Sequence, residues 1–138
     1  MAAILIAEDD PAERDVMSYQ LEQAGCRVIA VADGPAALAA AATGGVTAVV
    51  VKERLPGVSG LQLCRSLRGE ARTHDLPILV LGPAGTEDEA VDAFHAGADD
   101  WLAEPVHPHE FVLRVQALLR RCDHHPLQVP VYRPRHAA

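Results

Sequence analysis

The chain has 138 residues, 49% of them hydrophobic, and a formal charge of −7. This size and composition allow one sizeable core, so we expect one domain, and the acidic balance argues against nucleic acid as its direct partner. No apolar run approaches membrane-spanning length, and the first residues lack the basic start and cleavage site of a signal peptide. Three cysteines without C-x-x-C spacing cannot form a complete disulfide set, which predicts a cytoplasmic location.

The first segments predict a strand followed by a capped helix. Residues 3–7 form a short apolar run. Asp10 before Pro11 is typical of a helix start, and Glu13 completes a capping box with Asp10. We expect this helix to run to about Ala24 and to bury an inner stripe of Val16, Met17 and Leu21.

Two further strand–helix units follow. Residues 27–31 predict a strand, and residues 33–45 predict an Ala-rich helix closed by glycine. Residues 49–51 are an unbroken β-branched run, which is typical of a central strand buried on both faces. Lys52 stands at the end of that strand. Ser59 caps the next helix, whose inner side carries Leu61, Cys64 and Leu67.

The fourth and fifth units complete the alternation. Residues 77–81 predict a strand, and Thr86 with Glu89 forms a capping box for a helix that carries Val91 and Phe94. Residues 101–103 predict a short fifth strand. The last helix, over about residues 108–121, has helical spacing of Phe111, Val112, Val115, Leu118 and Leu119.

Five strand–helix units in a row predict a doubly wound parallel sheet between two helix layers, because right-handed crossovers place helices on both faces. The carboxyl ends of four strands then meet at one edge, which is where such sheets bind ligands. The residues at those ends are Glu8, Asp9, Lys52, Gly82 and Glu104. We expect this edge to be the functional site.

Short motifs occur in a fixed order along the chain, namely Ile4-Leu-Ile-Ala-Glu-Asp-Asp, Asp33-Gly, Leu55-Pro-Gly-Val-Ser-Gly, Leu76-Pro-Ile, Gly97-Ala-Asp-Asp and Glu104-Pro. In this order they resemble the receiver domain of bacterial two-component response regulators, over about residues 3–121. The resemblance implies an α/β, flavodoxin-like fold of five βα units, with the receiver domain at residues 1–121. Residues 122–138 have no apolar period and are interpreted as a flexible tail or linker.

The resemblance also implies where the chemistry of the family would lie. Receivers accept a phosphoryl group on an aspartate at the end of the third strand, and that position is Lys52, whose ammonium cannot form an acyl phosphate. The hydroxyl residue that reports phosphorylation is Gly82, and the lysine before the cis-prolyl bond is Glu104, followed by Pro105. Two features of the family are retained in this chain. They are its pair of acidic residues, here Glu8 and Asp9, and the switch aromatic of the fifth strand, here Trp101.

The two charge changes look coupled. Lys52 and Glu104 are the aspartate and lysine of the family with their signs exchanged, so we expect a direct Lys52–Glu104 ion pair. Mg²⁺ would lose a carboxylate ligand and face an ammonium, so we expect no metal or cofactor unless a weak Mg²⁺ site remains at Glu8 and Asp9. Removing one partner would cost roughly 3–5 kcal/mol in a desolvated cluster and much less in a wet one. The alternative is solvated charges at an inactive site.

We therefore predict a signalling and interaction module without enzyme activity. It would be an atypical receiver that lacks the phosphoacceptor Asp and acts through protein partners, such as a kinase or a downstream regulator. One alternative is a receiver that catalyses its own phosphorylation on an unorthodox residue and needs Mg²⁺. Another is an inert dimerisation scaffold. A role in transcription regulation follows only by analogy with the family.

A possible dimer face lies on the fourth helix, fifth strand and fifth helix. The charged face through which winged-helix regulators pair two-fold is matched in part by Asp99, Asp100, Glu110 and Arg114. Two positions depart from that pattern, Ala90 and Gln116. We expect a homodimer, and the alternative is an ordinary charged surface.

Two other sets of residues are not expected to act. The spacing of His107, His109, Cys122, His124 and His125 fits no standard metal site, so these side chains are interpreted as solvated. Glu53 could substitute as a phosphoryl acceptor, but alternation along the strand end places it on the other side from its neighbour Lys52.

Overall fold

The computed structural model describes residues 1–85 and 87–123. Its strands are β1 (Ala3–Ala7), β2 (Arg27–Val31), β3 (Ala48–Lys52), β4 (Ile78–Pro83) and β5 (Asp100–Glu104). Its helices are α1 (Pro11–Gln23), α2 (Gly34–Ala42), α3 (Gly60–Gly69), α4 (Glu87–Ala96) and α5 (Pro108–Asp123). The strands form one parallel sheet in the order β2-β1-β3-β4-β5, which confirms the predicted flavodoxin-like fold.

The pleat of the sheet divides the core into two parts, because alternate residues of a strand face opposite helix layers. One part lies under α1 and α5 and contains Ile4, Ile6, Val50, Leu79, Leu81, Met17, Leu21, Phe111, Val115 and Leu118. The other lies under α2, α3 and α4 and contains Leu5, Val49, Val51, Ile78, Val80, Leu63, Cys64, Leu67, Ala93 and Ala96. The three central strands, β1, β3 and β4, are therefore buried on both faces, as their continuous apolar runs predict.

The start of α1 differs from the predicted capping box. Asp10 caps the helix, because its side chain accepts a hydrogen bond from the Ala12 N–H at 3.0 Å. Its own N–H, however, donates to Glu8 Oε2 at 3.0 Å and not to Glu13. Glu8 is fully buried, and a buried carboxylate requires hydrogen-bond donors. The prediction that Glu13 closes the box is wrong for this reason.

Helices α2 and α3 are also capped at their N-termini, and the cap at Ser59 forms as predicted. Asp33 accepts a hydrogen bond from the Ala36 N–H at 2.7 Å at the start of α2. Ser59 and Gln62 form a reciprocal capping box at the start of α3. The cap predicted at Thr86 lies outside the described residues.

Some apolar side chains lie on the surface and not in the predicted stripes. Val16 is 53% exposed, because α1 turns Met17 and Leu21 toward the sheet and α5. Helix α4 packs on the sheet through the small residues Ala93 and Ala96, which leaves two larger side chains, Val91 and Phe94, each 48% exposed. In α3, Leu63 is buried beside Cys64 and Leu67, whereas Leu61 is only half-buried.

Helix α5 continues two residues past its predicted end, to Asp123. The predicted tail beyond it, including His124 and His125, lies outside the described residues. Within the part of the chain that the structure describes, no helix combines the length and the apolar character needed to cross a membrane.

A glycine fixes the start of α3 against the end of β3. The Gly60 N–H donates a hydrogen bond to the Glu53 carbonyl at 2.7 Å. A Cβ at position 60 would lie 2.5 Å from the Lys52 carbonyl oxygen, so only glycine allows this approach. The contact holds the backbone of Lys52 and Glu53 in place at the carboxyl edge of the sheet.

Candidate functional site

The side chains at the carboxyl edge of the sheet form two groups on opposite faces. The side chain of Lys52 lies on the same face of the sheet as that of Val50, the face covered by α1 and α5. The side chain of Glu53 lies on the same face as that of Val51, the face covered by α2, α3 and α4. We call the first group the lysine cluster, which consists of Glu8, Asp9, Glu13, Lys52 and Glu104. We call the second the tryptophan cluster, which consists of Glu53, Gly82, Glu89 and Trp101.

The lysine cluster is built around a buried carboxylate. Lys52 Nζ lies 3.2 Å from Glu8 Oε2 and 3.5 Å from Asp9 Oδ1. The Glu8 side chain is 0% exposed, whereas those of Lys52 and Asp9 are 22% and 42% exposed. Glu8 Oε2 also accepts from the Asp10 N–H, and Arg14 donates to the Glu8 carbonyl at 2.9 Å. These contacts fix the end of β1 against the end of β3.

The predicted direct ion pair between Lys52 and Glu104 is wrong. Among residues 1–85 and 87–123, the carboxylates within 4.0 Å of Lys52 Nζ belong to Glu8 and Asp9. Glu104 acts on Lys52 through its charge at longer range. The fully buried Glu8 carboxylate loses more hydration than the half-buried Glu104, so it gains more from contact with the ammonium.

The pKa shifts in the lysine cluster follow from burial and charge. Burial raises the pKa of Glu8, although the Asp10 N–H and Lys52 oppose that rise. Burial also raises the pKa of Glu104, and the charges of Glu13 and Asp9 add to it. Burial alone would lower the pKa of Lys52, but its hydrogen bond to Glu8 and the nearby carboxylates outweigh that effect, and the pKa is raised. Lys52 is therefore a stable ammonium at neutral pH.

The Mg²⁺ that the resemblance implies does not fit between the acidic pair and position 52. A cation there would be held by Glu8, Asp9 and a third carboxylate. Lys52 instead brings a positive charge to 3.2 Å and 3.5 Å from the two carboxylates, so a divalent ion at the same position would meet an ammonium.

In the tryptophan cluster, the indole of Trp101 lies directly against Gly82. A Cβ at position 82 would lie 2.7 Å from Trp101 Nε1 and 3.1 Å from Glu53 Oε1. Trp101 is half-buried and packs on the core under α2, α3 and α4. The structure therefore brings two of the predicted switch positions into contact, and the absence of a side chain at Gly82 is what admits the indole.

Three polar atoms of this cluster are buried without a hydrogen-bond partner in the described residues, namely Glu53 Oε1, Glu89 Oε2 and Trp101 Nε1. Burial raises the pKa of Glu53, and the facing carboxyl of Glu89 raises it further. Two carboxyl groups can form a hydrogen bond to each other only when one is protonated.

The position of Glu53 agrees with the predicted alternation along the end of β3. Its side chain faces Glu89 and Gly82, on the opposite side from Lys52.

The remaining predicted site residues, Pro105 and the residues of the predicted dimer face, lie outside the two clusters. The Glu104–Pro105 peptide bond is cis. Arg114 forms ion pairs with Asp100 at 3.2 Å and with Glu110 at 3.0 Å. Asp99, which was grouped with them, does not join this network.

Asp99 lies on the opposite side of β5 from Arg114. It accepts hydrogen bonds from Arg68 at 2.9 Å and from the Ile78 N–H at 2.8 Å. Its side chain therefore ties the start of β4 to α3. Of the predicted histidines, His107 and His109 are exposed.

Sequence reasoning missed two carboxylates, Glu13 and Glu89, by treating them only as helix caps. Within the described residues, Glu8, Glu13 and Glu104 each place one carboxylate oxygen within 4.8 Å of the others. Glu13 could have been found from its position in the first turn after β1, where a side chain on the inner face reaches the sheet edge. Glu89 occupies the same kind of position in α4, after β4.

Comparison with known proteins places this geometry in a family. The family model described as the response regulator receiver domain matches residues 4–116. The chain is 40% identical to the DNA-binding dual master transcriptional regulator RpaA of Synechocystis over 126 residues, which are 91% of this chain and 52% of the relative. It is 38% identical to the alkaline phosphatase synthesis transcriptional regulatory protein SphR of Synechococcus elongatus, over 92% of this chain and 52% of that protein.

A solved structure agrees with these relatives. The crystal structure of a response regulator from Chloroflexus aurantiacus has a TM-score of 0.83 and 35% sequence identity, and the match covers 87% of this chain and 98% of that one. The chain spans about half the length of the curated relatives that it matches. The match over residues 4–116, the identities and the five-stranded fold agree, and the chain belongs to the response regulator receiver domain family.

Proposed function

We propose that the chain is an atypical receiver that signals through protein contacts without accepting a phosphoryl group at the usual position. The observation that carries the proposal is the ammonium of Lys52, held 3.2 Å from Glu8 and 3.5 Å from Asp9 at the end of β3. An ammonium cannot form an acyl phosphate. It supplies one positive charge beside the acidic pair and holds the ends of β1 and β3 in one arrangement.

The rest of the edge supports the same proposal. Glu104 replaces a lysine of the family, and Gly82 has no hydroxyl group and lies under Trp101. We expect Mg²⁺ to bind weakly or not at all at Glu8 and Asp9 for the charge reasons given above. The free thiols of Cys26 and Cys64 are both buried and agree with a reducing, cytoplasmic setting.

The partners in this proposal are a kinase or a downstream regulator. RpaA and SphR are named as transcriptional regulators, and the chain spans about half of each. We propose that the module likewise controls a transcriptional output through other proteins. The acidic balance of −7 argues against direct contact of this domain with DNA.

Intact-mass spectrometry after incubation with acetyl phosphate and Mg²⁺ tests the proposal. We expect the natural chain to gain no phosphoryl group. The triple variant Lys52→Asp, Gly82→Thr, Glu104→Lys should gain one, because it restores a carboxylate acceptor, a hydroxyl and a lysine at the same edge. The double variant Gly82→Thr, Glu104→Lys is the matched control, and it should stay unmodified because it keeps Lys52.

The variant Lys52→Asp, Glu104→Lys, which keeps Gly82, covers the case in which threonine under Trp101 prevents folding. A phosphoryl group on the natural chain would contradict the proposal and support the alternative of an unorthodox acceptor. The scaffold alternative predicts something different, namely that Lys52→Asp and Glu104→Lys leave partner binding untouched.

We further propose a homodimer through α4, β5 and α5. Three apolar side chains on α4 and α5 are about half exposed, Val91 and Phe94 at 48% and Leu113 at 49%. The ion-paired network of Arg114 with Asp100 and Glu110 lies on the same elements. Apolar side chains beside a charged network are typical of the core and rim of a protein interface.

Phe94→Ser should weaken the dimer about tenfold or more, because it removes the half-exposed aromatic side chain of the proposed face. Sedimentation equilibrium of the whole chain measures the dissociation constant. Tyr19→Ser is the matched control, since Tyr19 is a 62% exposed aromatic side chain on α1, which is not an element of the proposed face. A natural chain that sediments as a monomer at every accessible concentration would rule out this interface.

A further inference from the structure

The tryptophan cluster buries three polar atoms that have no hydrogen-bond partner among the described residues, namely Glu53 Oε1, Glu89 Oε2 and Trp101 Nε1. A buried polar atom without a partner is costly, so its presence needs a physical reason. Two of the three atoms belong to carboxyl groups that face each other, one directly after β3 and one in the first turn of α4. Two acceptors therefore meet here, and a donor between them is missing.

A proton is the donor that this pair of carboxyl groups requires. With one proton, one carboxyl group donates a hydrogen bond to the other, and the pair carries one negative charge instead of two. Without it, two carboxylates face each other and repel. The side chains of Glu53 and Glu89 are half-buried, so water screens this repulsion less than it would at the open surface. The two states differ in whether the end of β3 and α4 attract or repel each other.

The charged groups around Glu53 favour the protonated pair. Burial raises the pKa of Glu53, and the carboxyl groups of Glu89 and Asp92 on α4 raise it further, whereas the exposed Arg54 lowers it. Asp9 lies along the same surface groove as Glu53 and Arg54 and brings another negative charge to it. Strands β4 and β5 contribute only a glycine and the indole, which carry no charge. The folded chain therefore holds the proton above pH 4.5, the ordinary pKa of a glutamate.

The indole of Trp101 is placed to respond to the state of this pair. Trp101 Nε1 and Glu53 Oε1 lie 2.7 Å and 3.1 Å from one point, the position of a Cβ on Gly82, and neither has a hydrogen-bond partner among the described residues. An indole N–H can only donate, and a fully charged carboxylate is the stronger acceptor. Once Glu53 no longer shares a proton with Glu89, the indole is therefore a donor beside the freed carboxylate.

We propose that Glu53 and Glu89 form a proton-binding pair that fixes α4 against the end of β3 while protonated and releases it when the proton leaves. The proton passes to water, the carboxyl O–H is the one covalent bond that breaks, and Glu53 then accepts a hydrogen bond from Trp101. Helix α4 also carries the exposed side chains of Val91 and Phe94, so the proton acts on a helix with a free apolar face. The pair gives the module an input that needs no phosphoryl group.

Fluorescence of the single tryptophan of the 138-residue chain, followed as the pH is raised from 4.5 through neutrality, tests the pair. We expect one sigmoidal change of emission with a midpoint above 4.5. Glu53→Gln and Glu89→Gln should each abolish the change and keep the low-pH emission throughout, because a neutral amide donates its N–H to the remaining carboxylate as the protonated partner does. Circular dichroism verifies the fold over the same range, and either variant alone is sufficient if the other does not fold.

Glu87→Gln and His95→Gln are the matched controls, because Glu87 and His95 are exposed titratable side chains at the two ends of α4. Both control variants should titrate with the midpoint of the natural chain. Emission of the natural chain that stays constant from pH 4.5 upward would overturn the proposal. An unchanged midpoint in Glu53→Gln and Glu89→Gln would overturn it as well, and so would variants that hold the high-pH emission throughout.

Urea unfolding gives a second readout of the same proton. The shared proton adds stability that is fully present below pH 4.5 and is lost as the pH rises through the raised pKa of the folded pair. The natural chain should therefore lose stability relative to Glu53→Gln over that range.

This inference goes beyond the proposed function, and the two can fail separately. The titration is made without a phosphoryl donor, so a phosphoryl group found on the natural chain would overturn the proposed function and leave the proton-binding pair standing. Constant emission would remove the pair and leave the role of Lys52 unaffected.

Discussion

Lys52→Met should destabilise the chain by about 3–5 kcal/mol at neutral pH, because it leaves the buried Glu8 carboxylate without its cation. The side chain of Glu8 is 0% exposed, so water cannot take the place of the ammonium, and the Asp10 N–H is the donor that remains on Oε2. Methionine keeps the length and apolar stem of lysine, so the variant isolates the charge. Urea unfolding, with the slope of the transition checked for constancy, gives the free energy of unfolding.

The loss caused by Lys52→Met should shrink as the pH falls. Lys52 opposes the rise in the pKa of Glu8, so its removal lets that pKa rise further above the ordinary value of 4.5. A carboxyl group with a raised pKa binds its proton more tightly in the folded than in the unfolded chain. Folding is therefore favoured at low pH, and stability falls as the pH rises from about 4.5 through the folded-state pKa of Glu8. Unfolding measured at several pH values gives this dependence.

Two further variants separate the buried charge from general effects. Arg65→Met is the matched control, since Arg65 is an exposed cation on α3 and its loss should change the free energy of unfolding by less than about 0.5 kcal/mol. Glu8→Gln combined with Lys52→Met should be more stable than Lys52→Met alone, because it removes the uncompensated charge. If Lys52→Met lowers the free energy of unfolding by less than about 1 kcal/mol at every pH, the result would instead support the alternative that the charges at this site are solvated.

Gly82→Ala should destabilise the chain by about 1–3 kcal/mol and move the indole of Trp101, because the new Cβ would lie 2.7 Å from Nε1. A second ring atom, Cε2, would lie at 3.1 Å, so the clash involves the rigid ring and not a flexible tip. Without a clash, alanine in place of glycine would stabilise the chain by about 0.4–1 kcal/mol. The sign of the change therefore reports whether the indole rests on Gly82.

Fluorescence measures the same displacement directly, since Trp101 is the single tryptophan of the chain. We expect a red shift of its emission in Gly82→Ala as the indole moves toward water. Gly69→Ala is the matched control, because a Cβ at position 69 of α3 meets no atom within 4 Å; it should leave the emission unchanged and stabilise the chain by about 0.4–1 kcal/mol. Unchanged emission together with higher stability in Gly82→Ala would contradict this packing.

The tertiary structure decided which charges meet at the site. The spacing of Lys52 and Glu104 at two strand ends suggested a direct pair, but Lys52 contacts Glu8 and Asp9. The choice depends on burial, because the ammonium goes to the carboxylate that has lost the most hydration, and burial is a property of the packed chain. The place of Glu13 beside Glu8 and Glu104 depends in the same way on how α1 lies against the sheet.

The amino-acid sequence alone determined the fold, the order of the five units and the residues at the carboxyl edge. Local signals are enough for these features, such as the apolar run of β3 and the caps at Asp33 and Ser59. Only the tertiary structure determined that the edge divides into a lysine cluster and a tryptophan cluster, and which atoms in each lack partners. The physical reason is that strand pleat, helix packing and burial act together across residues far apart in the chain, whereas sequence patterns report on neighbours.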